Sequence, residues 1–376
     1  MRIGKSMMLG AALVLVACGG KDGGTAVDDT EYVEATPDLS GTALEINSAA
    51  AAEDGAALIA EGFGVNQGEL NGQGQEFLEG ARLQVRAVNA ALKEAITPIV
   101  ELVNAGGAEA EPGDVLVYGP KDRANATFLF TIKKVTEQRY VWKLQARPLG
   151  STDDAAYKLV AAGGLTKGAV AHRGRGTIGI NLDNLKAVAP NFTGQGKLMA
   201  SFAHTAGNDK ALAYRLAGFT PNVATHEPVT GGFVGHRLQP SGATRVRVFG
   251  KYNLKNTATA AKENVFATLR FLPGTGGRAD VFAAGGDIAA DKYFIGSACW
   301  DAQEMEKFRI LRQCTKGQPL TSCTVVPGSV VGDRSACPGD LRGEDAPPAG
   351  NPDDVTQEPD APATPEPVPA DVTAEI

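Results

Sequence analysis

From residue 113 to about 300 the chain alternates apolar and polar residues with a period of two, in ten short runs separated by turn residues. "ATFLFTIKKV" (126–135) and "RYVWKLQAR" (139–147) flank a short polar turn. In the second run Tyr140, Trp142, Leu144 and Ala146 share one face, and Val141, Lys143, Gln145 and Arg147 share the other. Similar runs recur at 156–163, 176–183, 197–204, 211–219, 244–252, 264–271, 279–285 and 293–300. Gly, Pro, Asn and Asp fill the gaps, and no helical pattern intervenes. Such spacing predicts an antiparallel meander rather than parallel βαβ units. About ten twisted strands do not stay flat, so the sheet is expected to curl into a barrel or a sandwich.

A helical pattern precedes the strands. Phe77, Ala81, Val85, Val88, Leu92, Ile96, Ile99 and Val103 step by three or four residues and form one apolar stripe. That stripe needs burial, and the sheet is the surface available to it. Pro98 is expected to kink or restart the helix, and Gly106-Gly107 to end it. The Ala-rich stretch 43–61 reads as a second helix. A membrane-surface helix would carry a basic polar face. Here Arg82, Arg86 and Lys93 are matched by Glu79, Glu94 and Glu101.

The two ends of the chain are of a different character. The N-terminus has Arg2 and Lys5, then eleven residues, Met7 to Ala17, interrupted only by Gly10. That is about half of the roughly 20 needed for a membrane-crossing helix, and it has the form of a secretory signal peptide. Leu15-Val16-Ala17-Cys18 resembles the lipobox of bacterial lipoproteins. The resemblance covers residues 1–18 only and implies removal of residues 1–17 and acylation of Cys18. Two or three acyl chains give stable anchoring where one does not. By the same analogy Gly19, in place of an Asp, implies the outer membrane, with the protein facing the periplasm or the cell surface. Residues 18–42 then read as the lipidated Cys and a flexible tether, 43–107 as a helical segment packing on the sheet, and 113–342 as the β domain. Residues 343–376 hold eight prolines, nine acids and no Lys or Arg, which predicts a disordered tail.

These tails account for the net charge of −7, since residues 43–342 carry 33 basic and 28 acidic side chains. A mild excess spread over that length does not predict a nucleic-acid-binding protein. Lys143, Arg147, Arg245, Arg247, Lys251 and Arg270 fall on the faces opposite the apolar ones. Together with short strands and few aromatics, they favour a β domain hanging from a lipid anchor over a membrane-spanning barrel.

Four further cysteines, Cys299, Cys314, Cys323 and Cys337, lie within about 40 residues of an exported chain and predict two disulfides. The short loop "TKGQPLTS" favours Cys314–Cys323 with Cys299–Cys337; the sequential pairing Cys299–Cys314 with Cys323–Cys337 is the alternative. No metal-ligand spacing occurs around His172, His204, His226 or His236, and no nucleophile motif is present. No metal or other cofactor is expected. Arg173 and Arg175, in "AHRGRGTIGINLDNL" (171–185), form a candidate site for a carboxylate or phosphate. The sequence therefore points to a lipid-anchored envelope protein with a non-enzymatic binding or structural β domain. Its expected partners are the membrane, through the anchor, and an envelope protein or cell-wall polymer. The competing functions are an envelope hydrolase whose site assembles only in three dimensions and a lipophile carrier using a barrel interior.

Overall fold

The computed structural model describes residues 28–37, 76–123, 125–204, 210–220, 233–238, 244–252, 261–272 and 274–339. The signal segment, Cys18, the helix expected at 43–61 and the acidic tail fall outside these residues. The helices are α1 (Thr30–Glu34), α2 (Glu76–Asn104) and α3 (Leu182–Val188). The first eight strands are β1 (Glu109–Glu111), β2 (Val115–Arg123), β3 (Ala126–Lys134), β4 (Arg139–Pro148), β5 (Lys158–Lys167), β6 (Gly174–Asn181), β7 (Gln195–His204) and β8 (Lys210–Thr220). They are followed by β9 (Phe233–Leu238), β10 (Thr244–Tyr252), β11 (Glu263–Leu272), β12 (Gly276–Ala284), β13 (Lys292–Asp301), β14 (Glu306–Thr315), β15 (Thr324–Val325) and β16 (Val331–Gly332).

Each strand pairs antiparallel with the next along the chain from β1 to β15, and β16 pairs with β14. The meander is the one the alternation predicts. It is longer than ten strands because β1, β2, β9, β14, β15 and β16 are present as well; the first and the last two are only two or three residues long, and the patterns of β2, β9 and β14 are broken by charges or glycine. Among the described residues no pairing joins the last strands to β1, so the sheet is open. The barrel alternative gives way to a sandwich-like fold in which early and late strands share one core. Leu116, Phe130, Trp142 and Ile180 on one side cluster with Val246, Val265, Ala279 and Trp300 on the other.

The stripe of α2 fills that core. Val88, Leu92, Ile96 and Ile99 are wholly buried, and the helix lies against β2, β3 and β6. It runs unbroken through Pro98, so the helix does not restart there, and the Pro98 ring is itself buried. The helix stops where Gly106 and Gly107 turn left-handed, φ +68° and +76°.

Two local departures from the sequence reading have simple causes. The run 176–183 does not stay extended to its end. Asn181 accepts a hydrogen bond from the Asn184 amide at 3.1 Å and caps α3, whose Leu182, Leu185 and Val188 are buried. Residues 28–37, read as part of a flexible tether, instead form a packed strap. Tyr32 is buried with its ring edge-on to Tyr140, centroids 5.7 Å apart, and Ala35 is fully buried. Its acids find partners on four elements. Tyr118 donates to Asp29 (3.1 Å), Lys134 and Tyr140 to Glu31 (2.8 and 3.2 Å), and Lys167 pairs with Glu34. A charged, short segment gives no periodic signal, and its burial depends on partners scattered from β2 to β5.

Candidate functional site: an arginine row on the outer sheet face

Register decides what the outer face presents. Starting at β12, Arg278 lies opposite Arg270, Arg270 opposite Arg245, and Arg245 opposite Arg237. The row continues through Ala211, Ala203, Arg175 and Thr166 to Arg139. Residues in direct register point to the same face of a sheet. Six of these nine positions are arginine and none is acidic. At about 4.8 Å per strand, Arg278 to Arg237 spans about 14 Å and the whole row about 38 Å.

Like charges directly opposite one another destabilise a sheet, so the row is held against its own repulsion. At one end it is anchored. Arg278, only 4% exposed, donates to Asp280 through Nε (2.9 and 3.0 Å) and through Nη2 (2.7 Å), and to the Ser297 hydroxyl at 3.1 Å. The Ser297 hydroxyl in turn donates to Asp280 at 2.8 Å. Arg270 reaches the same carboxylate at 3.4 Å while its side chain stays 47% exposed. Farther along, Arg245 is exposed. Partial burial, with Arg247 and Arg270 beside it, holds its guanidinium below the usual arginine range.

The neighbouring rows complete the surface. One step inward lie Asp280, Thr268, Arg247, Gly235, Ala213, Ser201 and Thr177, mostly small side chains. One step further, Phe282, Phe266, Phe249 and Phe233 are in direct register across the same four strands as the arginine cluster. Phe282 is buried, whereas Phe266 and Phe249 are half-buried. The basic row and the aromatic row are two steps along the strand apart, about 13–14 Å in an antiparallel sheet.

The disulfide segment bounds this face on one side. Cys299 bonds Cys337 and Cys314 bonds Cys323. Cys314, Cys323, Tyr293, Ile295 and Phe282 form one cluster on the outer side, and Cys299, Cys337, Phe308 and Ile310 form another. The two bonds indicate an oxidising, exported compartment. No described helix is long and apolar enough to cross a membrane.

Of the residues singled out from sequence, Arg175 is exposed and belongs to the row, whereas Arg173 sits in the turn before β6, where its carbonyl accepts from the Gly168 amide at 2.6 Å. The two are therefore not a closed site of their own. Asp183 accepts from the Gly196 amide at 2.8 Å and lies at the opposite end of β6 from His172, so these two do not converge. His204 is buried at the end of β7. His226 and the side chain of His236 lie outside the described structure. Among the described residues no group of three or more His, Cys, Asp or Glu is placed to hold a metal. The sequence does not show the arginine row as a unit. Arg245, Arg247 and Arg270 were visible as polar-face charges, but their alignment with Arg278 and Arg237 exists only in the register.

Comparison with protein-family models, curated proteins and solved structures returns no match.

Proposed function

We propose that this protein is a lipid-anchored envelope lipoprotein, held in the outer membrane through Cys18, whose outer sheet face binds an acidic cell-wall polysaccharide. The observation that carries the binding reading is the register of Arg237, Arg245, Arg270 and Arg278, with Asp280 as the one carboxylate in the adjoining row. Arg245 and Arg270, exposed on adjacent strands of that line, suit a polymer with repeated carboxylates or phosphates, because each fork can make paired charge-assisted hydrogen bonds, while Arg278, buried on Asp280, fixes the end of the line. Phe249 and Phe266, half-buried in the parallel row, offer flat apolar surface of the kind on which sugar rings stack. A pocket for one small anion would need convergent groups, and a row does not provide them.

The test is binding of the full chain to polygalacturonate, with neutral dextran as control, over a range of salt. Expected is salt-sensitive binding of the acidic polymer alone, lowered by at least about tenfold by Arg245→Gln with Arg270→Gln, since each hydrogen bond to a charged group contributes about 1.5–3 kcal/mol. Equal affinity of the double variant and the parent would overturn the reading. The anchor is tested separately. Cys18→Ala should abolish palmitate labelling and release the protein from the membrane fraction. Retention of the variant on membranes after high-salt and carbonate washes would reject the anchor.

A further inference from the structure

We infer that the acidic C-terminal segment, residues 343–376, is an intramolecular occupant of the arginine row and competes there with outside polyanions. The inference rests on the reading of the row as an anion-binding face. Three observations bring segment and row together. The first is where the segment begins. Cys337 is bonded to Cys299 with the Cα atoms 5.7 Å apart, and Cys299 is the register partner of Arg278. The chain therefore leaves the described fold, after Gly339, next to the buried end of the row. The exposed members Arg270 and Arg245 lie two and three strands from Cys299, about 10 and 14 Å.

The second is length. Glu344 and Asp345 follow Cys337 by seven and eight residues, a reach of up to about 25 Å. That covers Arg270 and Arg245. Asp353 and Asp354 come sixteen and seventeen residues after Cys337, a reach of over 50 Å, enough to arrive at Arg175. The third is charge. The segment holds nine acids and no Lys or Arg, whereas the nine positions of the row hold six arginines and no acid. A segment tethered this close acts at an effective concentration of the order of millimolar. Even a contact of about 0.1 mM intrinsic affinity would then weaken an outside polyanion about tenfold. Fading of that contact with salt follows from the shortening of the screening length.

Two measurements decide it. In the first, polygalacturonate binding is compared for the full chain and for a chain of the same length whose nine tail acids are changed to Asn and Gln. Neutralising the tail should raise affinity about tenfold at low salt and leave it unchanged at high salt. The gain should vanish in the Arg245→Gln, Arg270→Gln background. A gain that persists there means general repulsion between two polyanions and overturns the inference. In the second, a spin label on Ala361→Cys should broaden the backbone amide signals of β10 and β11, and salt should restore them. Broadening confined to other strands, or none, also overturns it, and the polymer-binding reading then stands or falls on its own test. Should neither form bind polygalacturonate, that reading fails while the spin-label result still decides whether the tail sits on the row.

Discussion

β4 and β12 have nearly the same length and opposite burial. Along β4 every second residue is buried, from Tyr140 to Ala146, while Val141 and Gln145 are half-exposed and Lys143 is exposed. Along β12 all nine residues are buried. Both strands turn one face to the same core, with Trp142 from β4 and Ala279 and Val281 from β12. They differ in what lies outside. The outer side of β4 meets solvent, whereas that of β12 carries the Arg278–Asp280–Ser297 cluster and, beyond it, the disulfide segment. The alternation that announces a strand is thus a record of one wet face. Where a second layer covers the sheet, polar groups must be paired internally instead.

That difference predicts unequal responses to losing a charge. Asp280→Asn removes the carboxylate that compensates the buried Arg278, and breaking such a pair costs about 3–5 kcal/mol. Lys143→Asn on the outer face of β4 should stay within about ±0.5 kcal/mol. Chemical denaturation of the two variants checks this, and comparable losses would erase the contrast between the halves.

The disulfides sharpen the same contrast. Cys299–Cys337 closes a separation of 38 residues and ties down the layer outside β13. Replacing both by Ala should cost about 2–4 kcal/mol. Amide exchange should then rise first in β13 and β14, with β3 to β5 protected. A uniform rise would show that the cap stabilises the sheet only as a whole.

The inner faces supply the control, because there the halves are alike. Each tryptophan lies opposite a glycine on the neighbouring strand, Trp142 opposite Gly163 and Trp300 opposite Gly277. A Cβ on Gly163 would come within 2.6 Å of the Trp142 ring, and one on Gly277 within 2.2 Å of Trp300. Gly163→Ala and Gly277→Ala should each cost about 1–3 kcal/mol through overpacking. Thermal melts showing only one of them harmful would mean that the two inner faces are packed differently.

Sequence legibility follows the same division. The alternation in β4 and β7 and the stripe on α2 could be read because a core on one side and water on the other impose a period. The tightness of the Cys314–Cys323 loop was legible because it is local. The strap at residues 28–37 was not, since Glu31 and Glu34 gain meaning only from Lys134, Tyr140 and Lys167, more than a hundred residues away. The arginine row failed to show for a related reason. Neighbouring positions of the row lie 8 to 28 residues apart in the chain, and a one-residue slip of any strand would scatter them.

The strap allows a smaller test, by pH, at the early end of the sheet. Its hydrogen bond from Lys134 holds the Glu31 carboxyl below the usual carboxylate range. Burial, followed by the Glu31 charge, pushes the Tyr140 hydroxyl up to about 12, so that it remains a donor throughout the acidic range. The contribution of Glu31 is therefore complete above the unfolded carboxylate value of about 4.3 and is lost as pH falls through its lower folded value. Acidification below about pH 4 should release the strap and change the environment of Tyr32 and Tyr140. Glu31→Gln should show that state already at neutral pH by tyrosine-selective NMR. A strap that stays docked in the variant would place its stability in the Tyr32 and Ala35 packing alone.

The smallest effect is expected from removing residues 343–376. Their eight prolines and nine uncompensated acids give little apolar surface to bury. Deletion should therefore leave the melting temperature within about a degree at moderate salt, as changes away from packed features are usually within about ±0.5 kcal/mol. An electrostatic contact with the arginine row adds a term that grows as the screening length increases, from about 10 Å at 0.1 M salt to about 30 Å at 0.01 M. Its sign is stabilising, because the acids relieve repulsion between Arg245, Arg247 and Arg270. Melts of the full and shortened chains at the two salt concentrations should coincide at the higher one and separate slightly at the lower, the shortened chain melting first. A large loss at moderate salt would instead make the tail a packed outer layer like the disulfide segment, and the late half of the sheet would then be covered more widely than β12 and β13 reveal.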